Sequence, residues 1–269
     1  FARAVEAAGP TIAVAVTAAG VHDADEVERA VTAFAREPNG GLIALPNPVN
    51  RRHGGLIAEL AIRHHVPTIA GFRYMVEGGG SRDFAETRRM MQTNPALFDR
   101  LIDTLTSSTA EMLCGQIEAG AEAVMLFDSW AGILPPSAFR RYVIEPTRQI
   151  VEYIRARHPK TPIIGFPRLG GIMVREYAQK TGVNTLALDT VADPAQISEL
   201  VSEVRPGLTL QGNMDPMILF SGGETMIREA QAIRDAMRGK PHVFNLGHGV
   251  MQHTPPENVA ALVEAVRSV

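Results

Sequence analysis

Polar side chains able to bind an anion or move a proton stand where short apolar runs end in the second half of the chain. They are Asp128-Ser129-Trp130, Pro167-Arg168, Asp189-Thr190, Gln211-Gly212-Asn213 with Asp215, and Asn245-Leu246-Gly247-His248-Gly249. The set combines hydrogen-bond donors, a guanidinium and an imidazole, which suits a polar anionic ligand and proton exchange near neutral pH. Aspartate at such turns also commonly accepts bonds from the amides that follow, so Asp128, Asp189 and Asp215 have an ordinary capping role open to them. His248, between two glycines, has no apolar face to pack against. Earlier in the chain, Asn47, Asn50, Arg51, Arg52 and Arg73 add further donors. Two or three of these with Arg168 could hold a phosphate, sulfate or carboxylate through charge-assisted hydrogen bonds. Arg51 and Arg52 equally fit solvated residues of a helix's first turn. No metal site is expected from His53, His64 and His65, because residues eleven apart on one helix lie about three turns from each other. Cys114, the single cysteine, excludes an intrachain disulfide and a cysteine-based zinc cluster, and reads as a small buried hydrophobe on a helix over 96–120.

The elements that must position these groups follow from eight short apolar runs: Thr11–Val16, Leu42–Leu45, Thr68–Phe72, Ala123–Phe127, Pro162–Phe166, Thr185–Leu188, Leu208–Leu210 and His242–Asn245. Runs this short and this apolar predict parallel strands covered on both faces, and the amphipathic segments between them predict crossover helices. The fold class is therefore α/β, and eight such units predict a (βα)8 TIM-type barrel formed as one domain over residues 1–269. In such a barrel the residues after each strand share one rim, which gathers the groups above. Asp23 or Asp25 is placed to cap a helix over 26–36, Asn50 or Arg51 to open one through His64, and Asp193-Pro194 and Thr254-Pro255-Pro256-Glu257 to begin two more. About fifty residues separate the third and fourth runs, and they begin with a loop carrying Gly78, Gly79 and Gly80.

Twenty-six basic residues against 29 acids leave a net charge of −3, without the basic excess expected of a nucleic-acid or anionic-membrane binder. No stretch approaches a membrane span and the first residues lack an apolar signal core, so a cytoplasmic location is expected, in keeping with recombinant expression. The chain starts at Phe1 rather than methionine, which points to a processed or trimmed product.

From Tyr74 onward the chain resembles the C-terminal part of the uroporphyrinogen decarboxylase family. The resemblance rests on Tyr74-Met75-Val76-Glu77-Gly78-Gly79-Gly80-Ser81, Phe127-Asp128-Ser129-Trp130-Ala131-Gly132, Gly165-Phe166-Pro167, Leu210-Gln211-Gly212-Asn213-Met214-Asp215-Pro216 and Phe244-Asn245-Leu246-Gly247-His248-Gly249. It implies a (βα)8 barrel and a cofactor-free site for a tetrapyrrole with several carboxylates, lined by Tyr74, Ser129 and His248. Residues 1–72 lack the arginine-rich motif and the aspartate that the same resemblance would place before the tyrosine. Instead, Asp25–Val31, Gly40–Pro46 and His53–Ile69 resemble a flavodoxin-like lobe of ABC-transporter substrate-binding proteins, with a seam near Phe72-Arg73. These two resemblances together lead us to expect a recombined scaffold, with strands one to three from the transporter lobe and four to eight from the decarboxylase, folded but without native decarboxylase activity. Two alternatives stand beside it: a decarboxylase that retains activity, and a binding module for a small anion at the strand C-terminal rim. The oligomeric state is left open.

Overall fold

A computed structural model describes residues 15–36, 41–44, 48–64, 66, 68–70 and 84–267. The chain divides into two compact units, Phe1–Pro95 and Ala96–Val269.

In the first unit, α1 (Ala24–Phe34) opens on Asp23, whose carboxylate accepts the Glu26 amide at 2.8 Å. Asp25 and Glu26 occupy the first turn, where the positive helix end favours carboxylates. Val27 and Val31, one turn apart, form its buried stripe. The single helix expected through His64 is instead two, α2 (Pro48–Arg52) and α3 (Gly54–Arg63), with His53 between them. Gly54-Gly55 explains the break, since consecutive glycines carry the poorest non-proline helix propensity and let the chain restart. β1 (Leu42–Ala44) and β2 (Thr68–Ala70) pair in parallel with Leu42 opposite Thr68. Val27, Val31, Ala44, Ile57 and Leu60 make one apolar cluster, and α4 (Ala85–Thr93) ends the unit. Of the expected first strand, Thr11–Val14 lies outside the described residues, and Ala15 and Val16 are not in a strand. The described residues therefore hold seven strands in two sheets instead of eight in one.

α5 (Pro95–Glu118) leads into the second unit, burying Phe98, Ala110, Leu113 and Cys114. β3 (Val124–Asp128), β4 (Ile163–Pro167), β5 (Thr185–Ala187), β6 (Thr209–Met214) and β7 (His242–Leu246) lie side by side in sequence order, every pair parallel. Parallel neighbours require crossovers, and helices supply them. α6 (Pro136–Phe139), a π-helical turn (Arg140–Ile144) and α7 (Glu145–Arg157) follow β3, and α8 (Met173–Thr181) follows β4. α9 (Pro194–Ser202) follows β5; α10 (Pro216–Ser221) and α11 (Gly223–Ala236) follow β6; α12 (Pro256–Arg267) follows β7. Asp193 caps α9 and Asp215 caps α10, each with proline in the first turn, as their sequences predict.

The central strands are buried on both faces: all three residues of β5 and five of six in β6 are buried. In β7 burial alternates, with Val243 and Asn245 on the open face. The sheet curls strongly. Gln211 Nε2 on β6 comes within 3.8 Å of Met125 Sδ on β3, although three strand spacings in a flat sheet separate them by about 14 Å. The structure thus bears out an α/β fold with a parallel, curled sheet and helical crossovers.

Candidate active site at the strand C-terminal rim

The loops after β3 to β7 are knitted together by backbone and buried side-chain hydrogen bonds. Asp128 ends β3 and its carboxylate accepts the amides of Trp130 and Ala131, while burial pushes its proton affinity above the ordinary aspartate range. Its carbonyl receives the Arg168 amide at 3.0 Å, and the Arg168 carbonyl receives the Gly132 amide at 3.0 Å. Arg168, half-buried, also places Nη1 3.4 Å from the Ser129 carbonyl. Gly132 is required at this crossing, because a Cβ there would stand 2.3 Å from the Leu169 carbonyl oxygen.

Asp189 is 7 % exposed. One carboxylate oxygen accepts the Val191 amide at 3.1 Å, a local turn, and the other accepts the Leu169 amide at 2.5 Å across the rim. Asn213 is 5 % exposed, and its Nδ2 donates to the carbonyls of Asp189 at 2.7 Å and Ala192 at 2.6 Å. Both donors of that amide are thereby engaged. The Asp215 carboxylate accepts the Met217 amide at 2.8 Å as a helix cap. Gln211 is buried beneath the rim on the inner face of the sheet, against Met125.

On β7 and beyond, the exposed Asn245 folds its Oδ1 back onto the Leu246 amide at 2.8 Å. The Gly247 amide bonds the Met214 carbonyl at 2.9 Å, and Gly247 presses so closely on the next loop that a Cβ would lie 2.4 Å from the Thr190 nitrogen. His248 is exposed, and its Nδ1 takes the Gly249 amide at 2.8 Å. An accepting Nδ1 puts the proton of the neutral ring on Nε2.

Ser129, Arg168, Gln211, Asn213, Asp128, Asn245 and His248 therefore share one end of one sheet. Arg73, Tyr74 and Asn47 lie outside the described residues, as do His65 and the side chain of Arg51. Arg52 is exposed and Asn50 buried, both in the first unit. Cys114 is buried, and burial raises its thiol pKa. Among the described residues no group of three or more His, Cys, Asp or Glu could hold a metal ion, and no helix is long and apolar enough to cross a membrane.

Two features, one in the sheet below the rim and one on the rim, are not evident from the sequence. His242, at the start of β7, bonds the Gly212 carbonyl at 2.8 Å through Nε2, with burial lowering its pKa. Leu169 adopts a left-handed φ of 57°; the following Gly170-Gly171 was the available sign of a tight turn there.

Comparison with known proteins now identifies the frame. The family model described as Uroporphyrinogen decarboxylase (URO-D) matches residues 68–269. The chain is 94 % identical over 230 residues to the uroporphyrinogen decarboxylase of Gluconobacter oxydans, covering 82 % of this chain and 64 % of that protein. To the uroporphyrinogen decarboxylase of Gluconacetobacter diazotrophicus it is 57 % identical over 224 residues, covering 83 % and 62 %. The chain thus spans under two thirds of the length of these relatives. The 82 % share is larger than the stretch from Arg73 to Val269, and the family match begins at Thr68, so similarity runs through the seam expected near Phe72-Arg73. This overturns the reading of a chimera with a flavodoxin-like transporter lobe, and with it the recombined, inactive scaffold. The misreading has a physical source: a βαβ unit of an open sheet and one of a barrel share strand length, crossover hand and apolar pattern, so some seventy residues of that pattern do not distinguish them. The chain belongs to the uroporphyrinogen decarboxylase family.

Proposed function

We propose that the chain carries out, or supplies the C-terminal part of, the cofactor-free decarboxylation of acetate side chains on uroporphyrinogen. The observation that carries this is the 94 % identity to a uroporphyrinogen decarboxylase over 82 % of the chain, together with a family match over residues 68–269, which hold every rim loop described above. The family's (βα)8 barrel is the corresponding proposal for the closed fold.

The reaction takes R–CH2–COO⁻ and a proton to R–CH3 and CO2. Protonation of the electron-rich pyrrole at a ring carbon draws the carbon–carboxylate bonding pair toward the ring as CO2 leaves, giving an exocyclic methylene. That carbon then takes up a proton while the ring carbon releases the first, so one proton is consumed overall. Among the described rim residues, Arg168 is a cation able to hold a substrate carboxylate and Asn245 adds an amide, so a small carboxylate or phosphate is the simplest ligand of the rim. His248, exposed on the loop after β7, is an imidazole able to serve as a general acid–base group. Ser129 and Tyr74 complete the lining that the family resemblance implies.

The test is anaerobic incubation of the full chain with uroporphyrinogen, following loss of CO2 by mass spectrometry of the oxidised porphyrins. Turnover above the uncatalysed rate is expected, and His248→Ala should lower kcat by about 100-fold or more, the usual share of a general acid–base group. No turnover by the parent chain would sink the proposal.

A further inference from the structure

We propose that Asp189 and Asn213 are positioning residues for this site, two buried polar side chains that lock the loops after β4, β5 and β6 together and so fix where Ser129 and Arg168 stand relative to His248. The kinetic part of this inference rests on the decarboxylase reading; the structural part does not.

A capping aspartate has no need of a partner twenty residues away. Asp189 meets its local requirement with the Val191 amide, yet sends its second oxygen to the Leu169 amide at 2.5 Å. Leu169 directly follows Arg168, whose own amide and carbonyl are held by the β3 end at Asp128 and Gly132. From the other side Asn213 fastens the same β5 loop at the Asp189 and Ala192 carbonyls. Its neighbour Met214 accepts the amide of Gly247, the residue before His248. Hydrogen bonds and the peptide links between adjacent residues thus connect Ser129 through Arg168-Leu169, Asp189, Asn213-Met214 and Gly247 to His248. Burial makes the two side chains stringent, because a lost partner leaves a desolvated carbonyl or amide rather than a hydrated one. Catalytic groups held on loops need this kind of support to keep a productive separation.

The experiment compares the full parent chain with Asn213→Ala, Asp189→Asn and, as a control, Thr181→Ala. Thr181 makes a buried bond of its own, from its hydroxyl to the Tyr177 carbonyl at 2.8 Å on α8. Amide hydrogen exchange is read at Leu169 and Val191 on the rim and at Leu186 and Leu210 in the strands, alongside kcat and KM for uroporphyrinogen. For Asn213→Ala we expect exchange at Leu169 and Val191 to speed up about tenfold or more, with the strand amides within about twofold of the parent. We expect kcat to fall about tenfold or more with KM within about threefold, since the change misplaces groups that act on bound substrate. Asp189→Asn, which keeps one acceptor oxygen, should fall between Asn213→Ala and the parent, and Thr181→Ala should leave rim exchange and kcat unchanged. Equal acceleration in rim and strand amides would mean a merely structural role and overturn the proposal. So would unchanged rim exchange, or an unchanged kcat in a chain that turns over. If the parent shows no turnover, the decarboxylase reading fails and rim exchange alone decides this one.

Discussion

Among the described residues, the Arg168 guanidinium on the rim and the His242 imidazole at the other end of β7 respond differently to replacement. In the proposed carboxylate-binding role Arg168 would act through its planar fork, so Arg168→Ala should raise KM by about 10- to 100-fold, and Arg168→Lys should recover only part of it. Steady-state kinetics on uroporphyrinogen would read this, and an unchanged KM would exclude Arg168 as a carboxylate ligand. His242 makes a prediction about pH. Burial lowers its pKa below the ordinary 6.5, with the bond to the Gly212 carbonyl acting in the opposite sense. The fold therefore favours the neutral ring: the stability it contributes is present above about pH 6.5 and is lost as pH falls through and below that value. His242→Gln keeps a donor for Gly212 but removes the titration, so its thermal midpoint should vary less than the parent's between about pH 7 and pH 5. Parallel pH profiles for the two proteins would refute the assignment. At this scale the sequence was legible where a side chain acts on its own next turn. Asp23, Asp193 and Asp215 cap helices as their spacing predicts. Asp189 and Asn213 were not legible, because the partners that define them are backbone groups 20 or more residues away.

Strand ends rather than strands place the site, and glycine sets how closely they approach. β7 delivers His248 only because Gly247 lies against the backbone of Asp189-Thr190, where a Cβ would come within 2.4 Å of the Thr190 nitrogen and 2.8 Å of the Asp189 carbonyl carbon. Neither neighbour is a side-chain tip that can swing away. Gly247→Ala should therefore cost about 1–3 kcal/mol of overpacking, lower the melting temperature by about 2–10 °C, and reduce kcat as the β7 end shifts. Gly249→Ala is the matched control, since a Cβ there meets nothing within 4 Å, and its stability should stay within about 0.5 kcal/mol of the parent. Equal melting temperatures for the two variants would refute the close approach. Most elements could be read from periodicity: α1, α5, α9 and β3 to β7 fall within a few residues of their expected bounds. The break at His53 and the π-helical turn at Arg140–Ile144 could not, because apolar spacing barely changes when a helix restarts or widens by one residue.

The curl of the whole sheet has a consequence for solution behaviour. A curled parallel sheet has an inner face, and Met125, Phe127, Gln211 and Val243 lie on it, as the contact of Gln211 with Met125 and the register pairing Gln211 with Val243 require. In the middle of the sheet that face is closed by neighbouring side chains, and Gln211 is only 6 % exposed. At the two outer strands it is open: Phe127 on β3 is 67 % exposed and Val243 on β7 is 47 % exposed. Among the described residues these are large apolar side chains on the outer strands of the second unit's sheet, a surface that association between copies would bury. The full chain should therefore show concentration-dependent species larger than one chain by sedimentation velocity. The double variant Phe127→Thr, Val243→Thr keeps β-favouring residues while removing most of that apolar surface. It should shift the distribution toward single chains and, because exposed positions contribute little to folding, leave stability within about 0.5 kcal/mol per site. An unchanged distribution would mean that these strands are covered in solution. A large loss of stability would mean that they are buried within the same chain. Either result would contradict the exposure of the inner face that this curl produces.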